Sequence, residues 1–236
     1  MKRKTIWHLV FCSSILLCLL LVWIIYSLFT VRKAEIISVV NEFNGLNMLY
    51  NKNLLLLDEN KITSLLLSQN KIYSNLVIRK KFPDILMIDT KLRVPVAYLI
   101  NKSRKIFIDH DGIYIPNLSN ESETYTEIQI PNLLILNLDN IDWRVLKAVK
   151  LAVAASKNSI PIARISLDEP SGLYHLFLAG GEEAISSQEQ YPYLIAASLQ
   201  IIISRFRIEG KIISQIKFQY DKPVVVLKSG EKITSI

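Results

Sequence analysis

Cysteine is nearly absent from the chain: Cys12 and Cys18 are the only two, and both lie in its apolar N-terminal run. Everything after that run has neither thiol nor disulfide, a composition that suits an oxidising compartment. Histidine is scarce too, with only His110 and His175 beyond the run. Two histidines and no cysteine are too few soft ligands for a structural zinc site, so folding is expected to need no metal. No Gly-x-Ser-x-Gly elbow, zinc-ligand spacing or Gly-rich phosphate loop occurs. The chain therefore reads as non-enzymatic, with no catalytic residues, no metal and no cofactor.

Charge is missing from one long stretch. Between Ile6 and Val31 there is no Asp, Glu, Lys or Arg, and the middle runs Ile15-Leu16-Leu17-Cys18-Leu19-Leu20-Leu21-Val22-Trp23-Ile24-Ile25. A helix of that span measures about 39 Å at ~1.5 Å per residue, enough for a hydrocarbon core about 30 Å thick. The run is too long for a cleaved signal peptide and leads into Phe29-Thr30-Val31-Arg32-Lys33 rather than a small-residue cleavage site. Residues 6–31 are expected to form one transmembrane helix in contact with membrane lipid. Lys2, Arg3, Lys4 and the terminal amine outweigh Arg32 and Lys33, with Glu35 close by, so residues 1–5 are expected to form a cytoplasmic tail, with everything after about Lys33 outside.

The sequence pI of about 9.3 and net charge of +7 come from those flanks. All 21 acidic residues follow Lys33 and five of the 28 basic ones do not, leaving only about +2 beyond the run. That balance gives no reason to expect nucleic acid as a partner.

Composition and pattern shift near residue 100, placing one domain at 32–99 and a larger one at 100–236. In the first, Ala34 to Val40 reads as a strand, and Asp58 caps a helix through Ile62, Leu65, Leu66 and Gln69. Leu76–Phe82 and Ile85–Leu92 make a hairpin about Pro83-Asp84. In the second, Lys105–Ile108 and Ile113–Ile115 flank Asp109-His110-Asp111-Gly112, a tight-turn sequence. Asn117 to Glu127 reads as a polar surface loop, and Asp142 opens a helix through Val153. Strands follow at Ile162–Leu167 and Leu173–Leu178, with Gly180-Gly181 as a turn. A helix from Tyr193 to about Phe206 precedes closing strands at Ile212–Tyr220 and Val224–Leu227.

Four clusters invite a chemical reading. Asp109-His110-Asp111 could ligate a metal or orient a base, but such residues also make a polar hairpin tip. His175 reads as a strand histidine facing solvent, and Glu182-Glu183 as a surface turn. Arg79-Lys80-Lys81 alternates across a strand, with Arg79 and Lys81 on a solvated face.

Three segments together resemble the FtsQ/DivIB family of bacterial cell-division proteins: Val77-Ile78-Arg79-Lys80-Lys81-Phe82-Pro83-Asp84-Ile85-Leu86-Met87-Ile88, then Arg93-Val94-Pro95-Val96-Ala97, then Ile108-Asp109-His110-Asp111-Gly112. Ile130-Pro131-Asn132-Leu133, Leu178-Ala179-Gly180-Gly181 and Gly210-Lys211-Ile212 extend the likeness. Ile216-Lys217-Phe218-Gln219-Tyr220 keeps the family's aromatic end but replaces its acidic and Arg positions with Lys217 and Gln219. The resemblance implies an α+β fold: a transmembrane helix, a POTRA domain, and a larger antiparallel β-domain with two helices. It also implies a divisome scaffold at the septum, anchored in the cytoplasmic membrane, binding FtsB- and FtsL-like single-pass proteins. Other divisome proteins would meet the POTRA domain.

Partner binding in that family lies near the C-terminal strands, where a partner segment adds a strand to an edge. Here the matching residues are Tyr220, Lys222, Val224, Val225, Val226, Leu227 and Lys228. Charge and Pro223 at the border are devices that protect an edge. An ordinary closing strand, paired on both sides, is the other reading of the same segment. A POTRA-bearing secretion or assembly adaptor and a membrane-anchored hydrolase are the alternative functions.

Overall fold

A computed structural model of the chain describes residues 2–37, 43–101, 104–115, 125–133, 141–220 and 222–234; in the first helix the side chains described are Phe11 and those of 13–28. The chain divides into two compact units, Met1–Leu92 and Arg93–Ile236.

The first unit opens with helix α1, Lys2–Leu28. Among the described residues no helix is long and apolar enough to cross a membrane. The transmembrane helix expected over 6–31 is corrected accordingly. The helix also ends earlier than its charge-free sequence does. Thr30 makes a bridge to Asn53, and Val31 is fully buried, its N–H donating to the Lys52 carbonyl at 2.9 Å. Asn53 holds the junction by donating from Nδ2 to the Tyr26 carbonyl at 2.9 Å.

Strand β1, Lys33–Ile37, follows; the further strand residues expected up to Val40 lie outside the described residues. Helix α2, Glu59–Gln69, begins where the Asp58 carboxylate accepts from the backbone N–H of Asn60 and Lys61. Strands β2, Tyr73–Lys81, and β3, Ile85–Leu92, pair antiparallel, and β1 pairs parallel to β3. Buried Leu66 of α2, Tyr73, Leu76 and Ile78 of β2, and Leu86 and Ile88 of β3 join Val31 and Leu54 in one core. The basic run divides as alternation requires: Arg79 is exposed and pairs with Asp89 at 2.9 Å, while Lys80 turns inward to the Leu57 carbonyl at 2.8 Å.

The second unit starts before the expected boundary because β4, Pro95–Asn101, belongs to its sheet. The remaining strands are β5 (Arg104–Asp109), β6 (Tyr114–Ile115), β7 (Thr126–Gln129), β8 (Ile162–Asp168), β9 (Leu173–Leu178), β10 (Glu183–Ser187), β11 (Ile213–Lys217), β12 (Val224–Leu227) and β13 (Lys232–Thr234). Their order across one ten-stranded sheet is β13-β12-β11-β10-β9-β8-β7-β4-β5-β6. The expected antiparallel sheet is in fact mixed: β4 with β7, β7 with β8, and β10 with β11 run parallel. Two of those parallel joins need crossover helices. Helix α3, Trp143–Lys157, carries the chain from β7 to β8, and α4, Pro192–Ile208, from β10 to β11. Both helices bury apolar residues in the core that contains Leu99, Ile108, Ile165, Leu176, Ile216 and Val225.

Most of the loop expected at Asn117–Glu127 lies outside the described residues, but Thr126 and Glu127 belong to β7. Thr126 is buried, and its hydroxyl donates to the Ile162 carbonyl at 2.8 Å.

Candidate partner-binding edge

The C-terminal strands follow the alternation read from the sequence. Val225 and Leu227 are buried, whereas Val224 and Val226 are half-buried on the opposite face. Lys222, Lys228 and Tyr220 are exposed, Tyr220 by 54%. Behind them, the Phe218 N–H donates to the Ile185 carbonyl at 2.8 Å, and Gln190 Nε2 donates to the Phe218 carbonyl. Tyr220 thus stands on a loop whose base is tied to β10 and to the turn after it.

Val224–Leu227 follows the second reading of the segment, a strand paired on both sides. β12 pairs with β11 on one side, through Lys217↔Val224, Ile216↔Val225, Gln215↔Val226 and Ile213↔Leu227. On the other side β13 takes up Val224, Val225 and Val226 through Thr234, Ile233 and Lys232. The main-chain groups of β12 are therefore engaged, and among the described residues β13 is the last strand on this side of the sheet. Of the residues matched to the family's site, Tyr220 precedes β12 by four residues, at the end of that strand where Val224 pairs with Thr234.

β13 has a weak sequence signal, with Ile233 as its one apolar residue between Lys232 and Thr234. What marks it is the Ser229-Gly230 pair after β12, a turn dipeptide. Gly230 has φ +88°, and the turn closes with Leu227 N–H donating to the Glu231 carbonyl at 2.9 Å.

The clusters read for chemistry have structural work. Asp109 is 1% exposed and Arg93 11%; Arg93 Nη1 donates to Asp109 Oδ2. Asp109 Oδ1 accepts from the backbone N–H of Asp111 at 3.0 Å and of Ile113 at 2.7 Å. Asp109, His110 and Asp111 do bring their ligand atoms within 4.8 Å of one another. Both oxygens of Asp109 are already held by protein donors, so the trio fits a hairpin lock better than a cation site. The pairing also explains two of the sequence segments at once. Arg93 comes from one and Asp109 from the other, and a pattern search along the chain does not reveal that they meet.

Glu183 is not in a surface turn; it lies in β10, half-buried. Its Oε1 is 2.6 Å from His175 Nδ1, and its Oε2 accepts from Gln215 Nε2 at 2.7 Å. Burial pushes this carboxyl up, but the hydrogen bonds from His175 and Gln215 and the charges of His175 and Lys217 outweigh it, leaving the group below its ordinary value. The three side chains link β9, β10 and β11. A second network ties α3 to β8: Arg144 reaches Asp142 at 2.6 Å and Glu169 at 2.5 Å. The hydrogen bonds from Arg144 hold the Asp142 carboxyl below its usual range against the opposing effect of burial.

No protein-family model matches the chain, and no curated protein matches it.

Proposed function

We propose that the chain is a non-catalytic divisome scaffold of the FtsQ/DivIB type. In this reading it recruits and links FtsB- and FtsL-like single-pass proteins at the division septum, with the unit Arg93–Ile236 on the extracytoplasmic side of the cytoplasmic membrane. The observation that carries it is β13, the last strand of the large sheet among the described residues, with exposed Tyr220 on the loop that leads into its neighbour β12. An edge strand offers main-chain donors and acceptors to an incoming segment, while alternate side chains supply selectivity. β13 is short and presents Lys232 and Thr234, the kind of border that discourages indiscriminate pairing without closing the edge.

Two further contacts belong to the proposal. The described apolar side chains of α1, among them Leu16, Leu20 and Trp23, are exposed round the helix and need an apolar cover, which contact with membrane lipid supplies. The domain at 32–99, read as POTRA-like, offers a contact to other division proteins.

A fluorescent fusion imaged in dividing cells tests the reading, and a band at the septum is the expected result. Diffuse or polar signal in cells with visible septa would remove it, and would favour a secretion or assembly adaptor.

A further inference from the structure

Helix α4 has two apolar faces. Ile195, Ala196, Leu199, Ile202 and Phe206 point into the core. Leu194, Ile201 and Ile208 do not: they are 61%, 69% and 87% exposed. These three are spaced by seven residues, and the positions between them on the same stripe are small, Ala197 and Ser204. Leu194-Ala197-Ile201-Ser204-Ile208 thus follows the alternating three- and four-residue spacing of a heptad seam, with large residues at one core position and small ones at the other. In a heptad the buried residues Ile195, Ile202, Leu199 and Phe206 fall on the far side of the helix from that seam. A surface helix normally has one apolar stripe and a polar back. α3 behaves so, exposing Lys150 and Lys157 opposite a buried Val/Ala/Leu face.

From this spacing we infer that the outer face of α4 is a docking site for a partner helix with its own heptad seam and acidic flanks. Small residues at Ala197 and Ser204 let a second helix approach closely, and a shallow groove of about 500 Å³ runs past Ile201, Ser204, Arg205 and Ile208. The flanking positions decide the partner's charge. Glu209 is already taken by Arg205 at 3.1 Å and Lys211 at 2.9 Å. Arg207, at a flanking position of the seam, has no ion-pair partner among the described residues. A second copy of α4 laid parallel on the first would bring Arg205 and Arg207 against the same arginines. An acidic flank is matched to them instead.

This inference goes beyond the β13 edge and stands apart from it, because substitutions on α4 leave β13 untouched. The probe is a fluorescein-labelled four-heptad peptide with Leu and Ala at its seam positions and Glu at its flanks. Companion peptides carry Lys at the flanks or a scrambled order of the same residues. Binding is followed by anisotropy with the full chain in maltoside micelles. The Glu peptide is expected to bind at least tenfold more tightly than either companion, Ile201→Glu to lose at least tenfold, and Arg207→Glu to reverse the preference toward the Lys peptide. Circular dichroism checks that Ile201→Glu folds. If it does not, the more exposed Ile208→Glu decides. Equal binding of the Glu peptide to the parent and to the folded seam variant overturns the inference. So does a seam variant that abolishes self-association in sedimentation, or vesicle binding, while the parent ignores the peptide; the face would then serve a second copy or a lipid surface.

Discussion

At the β6 end of the large sheet, Arg93 and Asp109 are buried together, Tyr114 and Ile115 are covered, and the β5–β6 hairpin closes against residues flanking and opening α3. At the β13 end the last strand leaves Lys232 and Thr234 in solvent, Tyr220 stands out on its loop, and α4 shows an apolar seam. Both ends face the same physical problem, since a sheet edge carries unpaired main-chain groups that attract other strands. One end buries the side chains of its last described strand and locks the β5–β6 hairpin with the Arg93–Asp109 ion pair. The other ends, among the described residues, on a short strand with a charged border, a weaker barrier to pairing. Structural strength and accessibility are thus placed at opposite ends of one sheet.

The contrast can be broken most easily at the covered end. Asp109→Ala removes the carboxylate that Arg93 donates to and that accepts from two backbone N–H groups; a loss of about 3–5 kcal/mol is expected for breaking such a pair. Urea denaturation followed by circular dichroism measures it, and a loss under about 1 kcal/mol would mean the lock behaves as a surface pair. Gly112→Ala should cost less, about 1–3 kcal/mol. Gly112 has φ +86°, and a Cβ there would stand 2.8 Å from Leu146 Cδ1 and 3.0 Å from Ile141 Cδ1. The same denaturation series ranks it against Asp109→Ala, and equal stability to the parent would show that the hairpin and α3 can shift apart without penalty.

Between the two ends, Glu183 gives the sheet a dependence on acidity. Its folded value lies below its ordinary one, so its contribution is complete above the unfolded value of about 4.3 and is lost as pH falls through the lower folded value. The stability gap between the parent and Glu183→Gln is therefore expected to be widest near neutrality and to shrink steadily on acidification below about pH 4. A gap that stays constant across that range would leave Glu183 without a differential charge effect. Ser186, next in β10 but one from Ala184, is buried with its hydroxyl unpartnered. Ser186→Ala should be neutral or stabilising by up to about 1 kcal/mol, and a clear loss in thermal melting would reveal a hydrogen bond to that hydroxyl.

The open end should respond least in stability and most in binding. Tyr220→Ala is expected to change stability by no more than about 0.5 kcal/mol, yet to weaken capture of an FtsB-like segment several-fold, because an exposed aromatic beside an edge is a typical anchor. Calorimetry on the parent and the variant separates the two effects. Unchanged capture would move the anchor away from this loop.

Local elements of the fold were legible from the residues. Asp58 and Asp142 mark helix starts because a carboxylate accepts from N–H groups two or three residues on, and both do so here. The hairpins at Pro83-Asp84 and at Asp109–Gly112 form for equally local reasons, as does the in-and-out alternation of Val224 to Leu227. β7 and β10 were missed because each is a short strand of mixed polarity, Thr126–Gln129 and Glu183–Ser187, whose place comes from neighbours far along the chain. The candidate edge was legible only in part. Tyr220 and the β12 alternation could be read, whereas the open strand itself rests on a turn dipeptide and a single isoleucine.

By itself the sequence determined where strands alternate and where helices begin, since each depends on residues within a turn or two. Only the tertiary structure decided that α1 stops at Leu28, because Val31 finds a fully buried place in the first unit. It alone put β13 outside β12, mixed the strand directions, and brought Arg93 to Asp109. Those outcomes depend on pairings between segments distant in the chain. A main-chain hydrogen bond carries no sequence label, so which strand is left at the edge is settled only when all the others have found their partners.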